Sequence, residues 1–183
     1  MSGDLEELKE IIRKKSVRVG DFVLSSGKKA GYYLDCRMTT LDPRGALLIG
    51  RLLLKKMREM KLRPDAIGGM TLGADPIAAA VAVVSELEGS PLQAFIVRKE
   101  PKVHGMRRFI EGWDPAAGST VVIIDDVCTT GESILRACQA AEEAGCRVIA
   151  ALCVVDREEG GSQTISARYP FYPLLTANDI LRR

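Results

Sequence analysis

Histidine occurs once in these 183 residues, and none of the five cysteines forms a C-x-x-C pair. Zinc sites of the usual ligand spacing are thereby excluded. The thiols, odd in number and scattered, read as reduced small core residues, with Cys138 in a helix pattern and Cys153 in an apolar strand. Charge of one sign is not in excess: 26 Lys+Arg against 24 Asp+Glu leave +2, too little for a nucleic-acid surface. A basic function must therefore come from local clustering. The longest apolar runs, such as residues 148–155, fall far short of the ~20 residues of a membrane span. Residues 1–15 form a charged amphipathic helix pattern without a signal-type apolar stretch, so the expected location is the cytoplasm. Neither G-x-x-x-x-G-K-[ST] nor a G-x-G-x-x-G after a strand is present, and the nucleoside-triphosphatase and dinucleotide readings lose their main support.

What is there is the length and texture of one α/β domain. Leu5, Leu8, Ile11 and Ile12 recur at helical spacing. Residues 22–37 read as a short hairpin, and Pro43 opens a helix running to about Met60. Strand patterns at 65–70, 92–98, 121–126 and 147–156 alternate with helix patterns at about 76–89 and 133–144, the last ended by Gly145. That alternation predicts a parallel sheet flanked by helices. Residues 99–118 form a long polar segment, and loops of such length are usually functional. Beyond Arg157 the pattern is mixed, with residues 162–165 expected to be extended and 178–181 a last helical turn.

The most informative stretch is VVIIDDVCTTGES, residues 121–133. Four β-branched apolar residues form a buried strand that ends in Asp125 and Asp126; a hydroxyl- and glycine-bearing turn then opens a helix. Open α/β sheets bind ligands at this edge, and a helix start behind a tight polar turn is an anion site. Alternation keeps the two acids from pointing the same way while the strand continues, so both serve one ligand only if the backbone turns there. The plainer alternative is that one Asp only caps the following helix. Carboxylates beside a phosphate turn suit a phosphorylated sugar with Mg2+ between them. A second cluster, Arg98, Lys99, Lys102, His104, Arg107 and Arg108, concentrates positive charge on the long segment, as a polyphosphate requires. It lacks the interleaved aromatics of a nucleic-acid surface. Weaker signals at the same edge are the loop 71–76 with Gly73, and Arg157, which can clamp a carboxylate or form a surface ion pair. Phe109 and Trp113 are expected to dock the long segment.

Together these segments resemble the type I phosphoribosyltransferases, and among them the orotate-specific enzymes. The resemblance covers most of the chain. It rests on residues 121–133, on R-K-E-x-K-x-H-G at 98–105, on D-R-x-E-G at 156–160 and on F-x-L-x-S-G at 22–27. It implies one domain, with a Rossmann-like core of about residues 41–156 and a small hood from about 1–40 and 157–183. It implies transfer of ribose 5-phosphate from 5-phosphoribosyl 1-pyrophosphate to orotate, giving orotidine 5′-monophosphate and pyrophosphate in pyrimidine (UMP) biosynthesis. The sugar pyrophosphate would be held by Arg98, Lys99, Lys102, His104, Asp125, Asp126, Val127, Cys128, Thr129, Thr130, Gly131, Glu132 and Ser133. Lys102, His104, Asp125 and Asp126 would carry catalysis, and Thr129, Arg157, Tyr33 and Leu34 would meet orotate. Mg2+ would be held mainly by substrate and water near the acid pair. A homodimer with shared sites is implied, without nucleic-acid or membrane partners. Two positions depart from the pattern: Ser25, and Leu72-Gly73, stand where many relatives have Lys, and Tyr-Lys. The alternatives are a purine or uracil phosphoribosyltransferase, or a non-catalytic regulator on the same fold.

Overall fold

A computed structural model describes residues 2–23, 29–100 and 109–182. Helix α1 (Ser2–Lys15) leads into an antiparallel hairpin of β1 (Val17–Val23) and β2 (Lys29–Leu34). A short α2 (Arg37–Thr40) and a long α3 (Pro43–Glu59) follow. Pro43 sits at the start of α3, where a missing N–H costs nothing, and the Asp42 carboxylate caps it by accepting from Gly45 N at 2.9 Å. Then come β3 (Ala66–Met70), α4 (Ala74–Leu87), β4 (Gln93–Val97), β5 (Ile110–Glu111), β6 (Thr120–Cys128) and α5 (Glu132–Glu143). The chain closes with β7 (Arg147–Asp156), α6 (Gly161–Ser166), β8 (Phe171–Thr176) and α7 (Ala177–Leu181).

The main sheet has the order β5-β4-β3-β6-β7-β8. All its pairings are parallel except β4 with β5. The apolar run of β6 explains the layering. Val122 and Ile124 join a core with residues of α1, α3 and α4, whereas Val121 and Ile123 join a second core with residues of α5 and with Ile165 of α6. A strand segment buried on both faces has to be apolar at every position, as residues 121–124 are.

Three details differ from the sequence expectation. Residues 162–165 are helical within α6, where Thr164 N and Oγ1 both donate to Gly160 O and Ile165 is fully buried. The long polar segment contributes β5 to the sheet edge, where Trp113 stacks on Phe95 with centroids 5.9 Å apart. Residues 171–176, within the stretch assigned to the hood, pair with β7 as the opposite edge strand.

Candidate active site

From β3 the chain proceeds outward through β4 to β5, and from β6 it proceeds the other way through β7 to β8. The strand order therefore reverses between β3 and β6, and the loops after these two strands diverge and leave a crevice at their carboxyl ends. A cleft of about 360 Å3 lies there. The loop after β3, the acid pair, Thr129 and Ser133 line it together with Tyr33, Leu34, Arg37 and Arg157. A larger hollow of about 420 Å3 lies between the β5 arm and α5, but among the described residues its charged lining is Asp114 and Glu143. The chemistry belongs to the crevice.

The acid pair is arranged in a way that strand alternation does not anticipate. Strand β6 continues through Cys128, and yet both carboxylates reach one place. Asp126 N donates to Asp125 Oδ1 at 2.9 Å, and Val127 N donates to Asp126 Oδ1 at 2.8 Å, so each side chain is folded back onto the following amide. A methyl group added to Gly73 would stand 2.6 Å from an oxygen of each acid. Gly73 is thus the position at which the β3 loop comes against both carboxylates, and the absent side chain leaves the space beside them open. Asp125 is only 7% exposed. Burial, and next the negative Asp126, push its carboxyl well above the usual range; burial likewise raises Asp126. In the unfolded chain an Asp releases its proton near pH ~3.9. Between that value and the raised folded value the native protein binds more protons, so this pair makes the ligand-free fold less stable as pH rises. The pair is built for a ligand.

At the end of β6, Gly131 takes the left-handed conformation, φ +82°, and caps α5 without a side-chain hydrogen bond. The alternative in which one Asp merely caps that helix is thereby removed. The first-turn N–H groups of α5 face a recess of about 80 Å3 lined by Thr129, Thr130, Glu132 and Ser133, with Val127 and Cys128 at its strand side. The turn is braced from behind: Arg157 N donates to Cys128 O at 2.9 Å and Gly161 N donates to Thr129 O at 3.0 Å. Buried Asp156 holds that brace by accepting from Glu158 N at 2.9 Å and from the Ser162 hydroxyl.

The Arg157 side chain is 7% exposed, its Nε donates to Glu159 Oε1 at 2.7 Å, and its guanidinium lies 4.9 Å from the Tyr32 ring centre. It is a held, inward-facing cation and not a mobile surface pair. Lys99 lines the cleft. Arg98 does not; it faces Glu111 of β5 at 3.5 Å, since successive residues at a strand end point to opposite sides. Lys102, His104, Arg107 and Arg108, like Ser25, lie outside the described residues. All five thiols are buried and unpaired with one another. Sequence reasoning missed Asp35, Cys36 and Arg37, which line the cleft where β2 gives way to α2. The signal available was an Asp-x-Arg just after the tyrosines, indistinguishable from a hairpin end. No group of three or more His, Cys, Asp and Glu side chains among the described residues could hold a metal ion. No described helix is long and apolar enough to cross a membrane.

A switch-point crevice with paired acids and a phosphate turn defines a sugar-phosphate transferase of the phosphoribosyl type, and comparison with known proteins agrees. The family model for the phosphoribosyl transferase domain matches residues 40–172. The chain is 47% identical over 181 residues to the orotate phosphoribosyltransferase of Aquifex aeolicus (strain VF5), an alignment that covers 96% of this chain and 97% of that protein. The Mycobacterium tuberculosis orotate phosphoribosyltransferase in complex with Fe(III) dicitrate superimposes with a TM-score of 0.86 at 40% identity, covering 97% of this chain and 99% of that one. The structure of the M. tuberculosis protein with 5-phospho-alpha-D-ribosyl 1-diphosphate gives a TM-score of 0.81 at 36% identity, covering 97% and 98%. The chain belongs to the phosphoribosyltransferase family, in its orotate phosphoribosyltransferase branch.

Proposed function

We propose that the cleft transfers ribose 5-phosphate from 5-phosphoribosyl 1-pyrophosphate to orotate, releasing pyrophosphate and orotidine 5′-monophosphate for pyrimidine synthesis. The observation that carries this reading is the convergence of Asp125 and Asp126 beside the α5 start, with Arg157 held inward on the hood side. The 5′-phosphate sits in the turn 129–133, receiving N–H groups of the first turn of α5 and the hydroxyls of Thr129, Thr130 and Ser133. The acid pair takes the ribose hydroxyls. Cleavage at C1 builds positive charge on the sugar, and fixed carboxylates below it favour that charge without reorganising. The guanidinium of Arg157 clamps the orotate carboxylate, with Tyr33, Leu34 and Thr129 bordering the ring. Lys99, together with Lys102 and His104 from the adjoining segment, balances the departing pyrophosphate.

The donors present fit Mg2+ carried with the substrate. Two carboxylates with open space beside them at Gly73, and no third protein ligand among the described residues, match an ion that keeps its waters and binds through one or two acids plus phosphates. When bound, the ion neutralises phosphate charge; Asp125 and Asp126 would hold it through water. The protein acts in the cytoplasm as a homodimer with shared sites. Exposed Met38 on α2, Leu41 just after it and Leu72 on the β3 loop, at elements that border the cleft, support the dimer. Sedimentation velocity returning only a 19.9 kDa species would remove it.

Arg157→Ala tests the orotate assignment. A desolvated charge contact is worth ~2 kcal/mol or more, so the KM for orotate should rise about 30-fold or more, with that for the sugar pyrophosphate within about twofold. An equal rise in both constants would return Arg157 to a structural role.

A further inference from the structure

We infer that Arg37 is a binding residue for the leaving pyrophosphate, and that Asp35 positions it. The inference rests on the cleft reading proposed above. Arg37 opens α2 just after the Asp35-Cys36 turn that follows β2, and its guanidinium is gripped from one edge: Nε donates to Asp35 Oδ1 at 2.8 Å and Nη2 to Asp35 Oδ2 at 2.9 Å. That fork uses one side of a planar five-donor group, and among the described residues the outer edge, with Nη1, has no hydrogen-bond partner. The turn itself is fixed. Asp35 N donates to Ser16 O at 2.9 Å, and the buried Ser16 hydroxyl pairs with the buried Thr39 hydroxyl at 2.7 Å. A rigid backbone therefore carries an oriented, half-exposed cation on the wall of the cleft.

The position of Arg37 selects the ligand group it would meet. The 5′-phosphate has its own cradle at residues 129–133, and Arg37 is not part of it. Arg157 is engaged by Glu159 and stacked on Tyr32 on the orotate side. On the other side of the acid pair the β3 loop offers Leu72 and Gly73, neither with a charged side chain. Arg37 lines the same cleft, close enough to Asp126 for its charge to favour that carboxylate's ionised form. Among the described residues, Arg37 and Lys99 are the cleft cations not already assigned to another ligand group. A pyrophosphate presents pairs of oxygens that match the open guanidinium edge as a fork. Binding it there would draw charge toward the leaving group while the acids serve the ribose.

The test uses the full chain with Mg2+ and the variants R37Q, R37K and D35N. The readouts are KM for each substrate and inhibition by pyrophosphate and, separately, by ribose 5-phosphate. R37Q is expected to raise the pyrophosphate inhibition constant and the sugar-pyrophosphate KM by about 10- to 100-fold. The orotate KM and the ribose 5-phosphate constant should stay within about twofold, since Arg37 touches neither group. R37K keeps the charge but not the fork, and D35N loosens the guanidinium; both should fall between. R37K becomes the informative variant if R37Q loses its melting transition. Unchanged pyrophosphate inhibition in R37Q or R37K overturns the assignment, as does a matching rise for orotate or ribose 5-phosphate. Failure of the cleft reading itself would show separately, as an unaltered orotate KM in Arg157→Ala.

Discussion

Asp125→Asn should lose about 100-fold or more in kcat/KM and at the same time melt at a higher temperature than the parent in the ligand-free state at pH 8. The two effects share one cause. Asp125 is buried next to Asp126, and both carboxyls are pushed upward by burial. Ionising it costs the fold free energy that substrate binding recovers, and Asn avoids that cost while its Oδ1 can still accept from Asp126 N. The rate loss follows because Asn brings no negative charge to the oxocarbenium-like centre, and removing one preorganised electrostatic contact typically costs ~100- to 1,000-fold. Each ~1 kcal/mol recovered raises the melting temperature of a chain this size by ~2–4 °C. The sign with pH is defined. The gap should be largest above the raised folded-state value and should close as pH falls toward ~4, where the unfolded chain also keeps its proton. Scanning calorimetry at pH 8 and pH 5 checks this. A variant less stable than the parent at pH 8, or one with normal turnover, would show that the pair is not a strained binding element.

Gly131→Val should abolish useful binding of the sugar pyrophosphate, with KM up about 100-fold or more, and should lower the melting temperature by several degrees. Two independent costs meet at this residue. Its φ of +82° is a conformation β-branched residues avoid at ~1–3 kcal/mol. An added Cβ would stand 2.9 Å from Ile165 Cγ1 and 3.2 Å from Gly161 O, both part of the brace behind the turn. Relief requires the turn to move away from α6, which turns the first N–H groups of α5 away from the phosphate. Orotate should still bind if Arg157 keeps its place, and isothermal titration with orotate alone would show it. Normal affinity for the sugar pyrophosphate in Gly131→Val would mean that the phosphate sits elsewhere.

The sheet, and half of the cleft, could be read before any coordinates. Residues 121–124 are apolar at every position, which only a strand covered on both faces tolerates, and the turn 129–133 carried its own anion chemistry. Local patterns failed where a distant partner decides the conformation. Strand β8 contains Pro173, an argument against a central strand but not against the edge strand it forms. Helix α6 is held by Asp156 and by burial of Ile165 under the phosphate turn, neither of which GSQTIS announces. Helix α4 starts at Ala74, two residues before Pro76, because a proline in the first helical turn displaces no hydrogen bond. The acids converge through bonds to their own following amides, a departure from strand alternation that is invisible to any period-2 reading. Arg37 was hidden for the same kind of reason: its importance comes from sharing the cleft with Asp126, 89 residues away in sequence.

The central claim is that this crevice joins a ribose 5-phosphate group to orotate and to no other base. The direct measurement is pyrophosphate release by the full chain with 5-phosphoribosyl 1-pyrophosphate and Mg2+, comparing orotate, uracil, hypoxanthine and adenine as acceptors. The account predicts release with orotate and consumption of orotate in equal amount, with the three bases that lack the carboxylate near background. Release supported by uracil, hypoxanthine or adenine but not by orotate would contradict it.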